Sequence, residues 1–112
     1  MKVAQSGTVS LGGALTAANG TTLAFNFTDK ATAPTLAIPV ASTIPETENV
    51  KISANEGVRP SSSQTYTLTS TFDFTGKAVN LVDKPDWVRS VDVVDGNLVL
   101  TVKFGGFIIS FH

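Results

Sequence analysis

Cysteine is absent and histidine occurs once, at the final position, His112. The first absence excludes disulfides, thiolate nucleophiles and sulfur ligands for a metal. The second leaves no Ser-His-Asp or Cys-His pair and no zinc set. Chain ends are usually loose, so His112 is a poor general base. Charge is also scarce, at 15% Asp, Glu, Lys and Arg with a net charge of −1, against about 25% in an ordinary soluble domain. No Lys/Arg run exists, so the electrostatic footprint of a nucleic-acid binder is missing. Any partner must then be held by short-range shape and apolar contact rather than by steering. The residues after Met1 contain no continuous apolar stretch, so no signal peptide is expected. No run approaches the roughly 18 apolar residues of a membrane span.

What remains is a chain of 112 residues, 42% of them hydrophobic. That length fits one domain with a core that needs no staples. Its polar surface is supplied largely by Thr, Ser and Asn. Thr is β-branched and suits a pleated, half-exposed surface.

Alternation of period two dominates the chain. In residues 21–28, Leu23, Phe25 and Phe27 share one face and Thr22, Ala24, Asn26 and Thr28 the other. Residues 48–54 form a strand with Val50 and Ile52 inward. Residues 64–74 form the longest pattern, with Tyr66, Leu68, Ser70, Phe72 and Phe74 on one face and threonines on the other. Short strands follow at 78–82, 88–94, 97–104 and 107–111. Asp95-Gly96 between two alternating runs is the strongest hairpin signal, because both central residues need positive φ. Residues 31–48 carry Pro34, Pro39 and Pro45, so the alternating Leu36, Ile38 and Val40 predict an edge strand. No helical periodicity and no fixed-period repeat is evident. These signals predict an all-β fold, an immunoglobulin-like antiparallel β-sandwich of seven to nine short strands over residues 21–112. Residues 1–20 are small, polar and interrupted by Gly12-Gly13 and Asn19-Gly20. They predict an extended or partly ordered arm with a short strand near Thr8–Leu11.

Chemistry is thinly represented. Asp83 and Asp86, and Asp92, Asp95 and Asn97, are the oxygen-rich clusters that could serve acid–base work or calcium. All sit where turns need Asp and Asn, and the EF-hand spacing is absent. Neither catalytic residues, cofactor nor metal is expected. Trp87 has two readings, a plug at one end of the core or an exposed anchor for a glycan or a protein. Asn19-Gly20-Thr21 and Asn26-Phe27-Thr28 match the glycosylation tripeptide, a pattern that arises by chance in a Thr-rich chain.

The stretch Pro85-Asp86-Trp87-Val88, a short strand, and then Gly96-Asn97-Leu98-Val99-Leu100-Thr101-Val102 resembles the Pro-x-Trp-Leu and Gly-x-Leu-x-Leu-Thr-Val pattern of BACON and related bacterial immunoglobulin-like modules. The resemblance covers the last third of the chain, and Gly105–His112 departs from it. It implies adhesion, carbohydrate contact or spacing. A small immunoglobulin-like protein without an export signal is also similar, in fold and size, to auxiliary proteins of tailed-phage virions. The leading expectation is therefore a non-enzymatic virion structural protein, an auxiliary or decoration capsid protein that binds a capsid lattice or its own copies. The alternative is a carbohydrate-binding or adhesion module at a bacterial surface. The residues expected to make contact are Val9, Leu11 and Leu15 in the arm, Leu36, Ile38 and Val40 in the Pro-rich segment, and Trp87. The expected mode is strand addition at an exposed edge.

Overall fold

The computed structural model describes residues 2–3, 7–11, 13–18, 20–29, 32–58, 65–83 and 85–103. The alternating segments become ten strands: β1 (Lys2–Val3), β2 (Gly7–Ser10), β3 (Thr22–Phe27), β4 (Pro34–Ile38), β5 (Thr47–Ala54), β6 (Thr65–Thr67), β7 (Thr69–Thr71), β8 (Ala78–Val82), β9 (Val88–Val94) and β10 (Asn97–Val102). No helix forms among the described residues. The strand expected at 107–111 lies outside them.

The all-β class is as expected, but the pairing is not that of an antiparallel sandwich. Five of the ladders are parallel: β1–β3, β3–β5 and β5–β8 in one sheet, β2–β4 and β4–β7 in a second. Only β6, β10 and β9 pair antiparallel, in a third sheet. The chain visits the first sheet, crosses to the second, turns back past a corner where Thr16 bridges Thr43 in parallel, and re-enters the first sheet one strand further on. This is the path of a short parallel β-coil. Successive coils stack in register from Lys2 to Ala24 to Lys51 to Val82. These steps lengthen along the chain, which is why no fixed period shows in the sequence.

The core lies between the sheets. Leu23 stacks beside Val50 and Leu81, and Val3 beside Phe25 and Ile52. On the second sheet Val9 stacks beside Leu36 and Thr69. Phe25, Phe27, Leu36, Ile38, Val50, Leu68, Phe74, Leu98 and Leu100 have no exposed surface. Each such side chain contributes roughly 1.5–3 kcal/mol by leaving water. The outer face of the first sheet is polar and cross-linked. Asn80 Nδ2 donates to Asn49 Oδ1 at 2.9 Å across the β5–β8 ladder. Asn26 accepts from Ser53 Oγ at 2.7 Å and donates to Asn55 Oδ1 at 2.9 Å. The second glycosylation tripeptide is therefore centred on an asparagine that is buried and hydrogen-bonded.

Two expectations are corrected here. β4 is the central strand of its sheet rather than an edge. Pro34 is tolerated because it opens the strand, where one missing donor costs the ladder least. The pattern over 64–74 is not one strand. It switches sheets at Leu68, whose N–H donates to Leu98 O at 2.7 Å while its carbonyl accepts from Leu36 N at 2.8 Å. Crossing that corner brings Leu68 and Thr69 inside together, and Thr69 Oγ1 accepts from Leu98 N at 2.9 Å.

Thr71 ends β7 at φ 77°, a left-handed conformation that costs a β-branched residue about 1–2 kcal/mol. Its side chain is exposed. Glycine would relieve that strain and add back about 0.5–1 kcal/mol of backbone entropy cost. Thr71→Gly is expected to raise stability by about 0.5–1 kcal/mol, read as a higher urea midpoint at unchanged m-value. A lower midpoint would show that the ladder to Ile38 matters more than the strain.

The last two strands close one end of the coil. Asp95 (φ 51°) and Gly96 (φ 81°) make the expected two-residue turn, and Asn97 pairs with Val94 across it. Phe74 N donates to Gly96 O at 2.8 Å, and Lys103 N to Trp87 O at 2.8 Å, so the hairpin is tied to the coil on both sides.

Candidate contact surface

The seven residues expected to touch a partner fall into three groups. Leu36 and Ile38 are completely buried and present no surface to anything outside. They face inward because their strand is central and the coil interior is apolar. Val9, Leu11, Leu15 and Trp87 are partly buried and pack on the core. Val40 stands alone at 73% exposed, at the tip of a turn closed by Ser42 N donating to Pro39 O at 3.0 Å.

Three members of the second group gather on the first coil. Val9 lies in β2, and Leu11 and Leu15 follow it toward the first corner. Leu15 is fixed there by two hydrogen bonds: its N–H donates to Ser42 Oγ at 2.8 Å and its carbonyl accepts from Thr43 N at 2.8 Å. Ala17 N donates to Thr43 O at 2.9 Å. Beside these bonds lies a groove of about 190 Å³ lined by Leu15, Thr16, Ala17, Thr21, Thr22 and Leu23.

The same coil carries two strand edges that have one partner each among the described residues. Among the described residues β1 pairs only with β3, and β2 only with β4. Gly7 N donates to Ala33 O at 3.2 Å, so the N–H groups of Gly7 and Val9 point toward β4. By strand alternation those of Thr8 and Ser10 point away from it. At the opposite end of the second sheet β7 is also an edge strand, and the hairpin reaches it where Leu68 N donates to Leu98 O and Leu98 N to Thr69 Oγ1.

A polar hollow of about 320 Å³ beside the hairpin is lined by Asp73, Asp95 and Asn97, among others. Asp73 Oδ1 is engaged, accepting from Thr75 Oγ1 at 2.6 Å and Thr75 N at 2.9 Å. Those bonds hold its carboxyl below the usual range. Asp92 Oδ2 accepts from Ser90 Oγ at 2.7 Å, and Asp83 sits in a turn at φ 51°. No group of three His, Cys, Asp or Glu residues with metal-binding geometry occurs among the described residues.

No family model, curated protein or solved structure matches this chain. Its site must therefore be read from its own residues. Trp87 meets the ring of Phe27 edge-on at 6.0 Å and 83°, and Phe27 meets Tyr66 at 5.4 Å and 79°. Trp87 thus helps join the hairpin to the coil.

One residue escaped the sequence reading. Glu48 lies in phase with Val50 and Ile52, so alternation points it inward. It is fully buried. A charge at an in-phase position was the available signal.

Proposed function

We propose that this chain is a non-enzymatic contact module, an auxiliary or decoration protein of a virion that binds a capsid lattice or its own copies. The observation that carries the reading is the first coil: two strand edges with no second partner among the described residues, beside a mainly apolar groove. Unpaired edges recruit strands from partners unless they are covered or charged. Here the edge residues Gly7, Val9 and Ser10 are small or apolar. Sparse charge over the whole chain fits a partner recognised at short range. The phage setting rests on the analogy of a small all-β protein to auxiliary virion proteins, without its immunoglobulin-like part, because most ladders here are parallel. A coil with one capped end also presents an edge. The edge-on packing of Trp87 against Phe27 favours a structural role for that ring over the sugar-stacking role of the carbohydrate-binding alternative.

Ser10→Pro tests the proposal. Proline removes a donor that points away from β4 and leaves the inner ladder whole. The expected result is at least a tenfold weaker attachment to assembled particles, a loss of about 1.4 kcal/mol, with a Tm within a few degrees of wild type. Sedimentation of particles with labelled protein measures it. Undiminished attachment would remove the first coil as the contact.

A further inference from the structure

Glu48 is the one acidic side chain among the described residues that lies wholly inside the coil. Alternation along β5 turns Glu48, Val50 and Ile52 inward together, and none of the three exposes more than 1% of its surface. Neither Oε1 nor Oε2 has a hydrogen-bond partner. An ionised carboxylate so placed has lost its water and gained nothing in exchange. On the ladders, Val79 stands directly beside Glu48 on β8, and Thr22 pairs with the next residue, Asn49, on β3.

We propose that Glu48 is a pH-controlled latch in the third coil, closed when its carboxyl is neutral and loosened when it ionises. Its ladder neighbours among the described residues carry no charge. β3 contributes Thr22 and Leu23, and β8 contributes Ala78, Val79 and Asn80, none of them titratable. On its own strand Lys51 is exposed. Glu46, just before β5, is exposed, and its carbonyl is taken by Ala78 N at 2.8 Å. Lys77, just before β8, is committed to Ile44 O at 2.9 Å. The charge of the amino terminus acts in the opposite sense to burial, and burial is the larger effect.

The sign follows from linkage. Burial raises the folded-state pKa of Glu48 above its ordinary value. The folded state then binds more protons than the unfolded state between the two values. The contribution of Glu48 to stability is complete below the unfolded pKa and is lost as pH rises through the folded one. Strands β3, β5 and β8 share the ladders at this point, so ionisation weakens the middle of the first sheet. This device is independent of the first-coil contact, and its test reads no partner binding.

Glu48→Gln keeps the shape and removes the charge. The variant is expected to melt about 5 °C or more above wild type at pH 7, with the gap closing by pH 4. A gap that does not change with pH, or a less stable variant at pH 7, would overturn the latch. A second measurement needs no substitution. In wild-type protein labelled with ¹³C at glutamate side-chain carboxyls, the Glu48 signal is expected to titrate above the pH range of an ordinary glutamate. Titration within that range would equally overturn it.

Discussion

Phe27→Ala is expected to cost about 4 kcal/mol, near the top of the range for a buried aromatic truncated to alanine. Phe27 is the last residue of β3 and has no exposed surface. Its ring is met edge-on by Tyr66 of β6 at 5.4 Å and by Trp87, just before β9, at 6.0 Å. One side chain therefore joins the parallel coil to the antiparallel cap. Edge-to-face pairs add about 0.5–1.5 kcal/mol beyond area, and truncation also leaves a cavity between two sheets that cannot both move in. A domain of this size has about 5–15 kcal/mol in total. The expected outcome is a Tm lower by about 20 °C, together with a red shift of Trp87 emission. Phe27→Leu, which keeps most of the volume, is expected to lose less than half as much. A loss below about 1.5 kcal/mol for the alanine variant would show that cap and coil are joined elsewhere.

Gly96→Val is expected to cost about 3 kcal/mol, for two reasons that separate experimentally. Gly96 has φ 81°, where a β-branched residue is strained. A Cβ placed there would also lie 2.7 Å from Asp73 Oδ1. That oxygen cannot swing aside freely, because Thr75 donates to it from both its backbone and its hydroxyl. Gly57 is the control, since at φ 82° it has nothing within 4 Å of its Cβ position. Gly57→Ala is expected to cost about 1 kcal/mol from conformation alone. Gly96→Ala should cost clearly more, and Asp73→Ala should recover part of that excess in a double-mutant cycle. Equal costs at the two glycines in urea titrations would dismiss the contact with Asp73.

Much of the fold was legible locally. Leu23, Phe25 and Phe27 are inside as alternation requires, and Asp95-Gly96 makes its hairpin because the turn needs only its own two residues and their neighbours. The first coil was harder. Lys2–Val3 and Gly7–Ser10 have little apolar pattern of their own, and become strands because β3 and β4 offer them partners. Leu36 and Ile38 alternate as an edge strand would, yet β2 and β7 flank them on both sides. Nothing near Pro34 reveals that. The contact residues divided for the same reason. Whether an alternating leucine faces a partner or a core depends on which strands lie beside it, and those partners are distant in sequence.

By itself the sequence determined that the chain is all β, which residues alternate, where the tight hairpin falls, and that the chain holds no cysteine and a single histidine. Tertiary structure alone decided that most of the strands run parallel in a coil and that Leu68 is a corner. The physical reason lies in the coil itself. Parallel sheets are usually covered on both faces and read as continuous apolar runs. A coil leaves one face of each sheet to water, so its strands alternate like those of an antiparallel sandwich. Period two reports that one face is buried, and carries no information about the direction of the neighbouring strand.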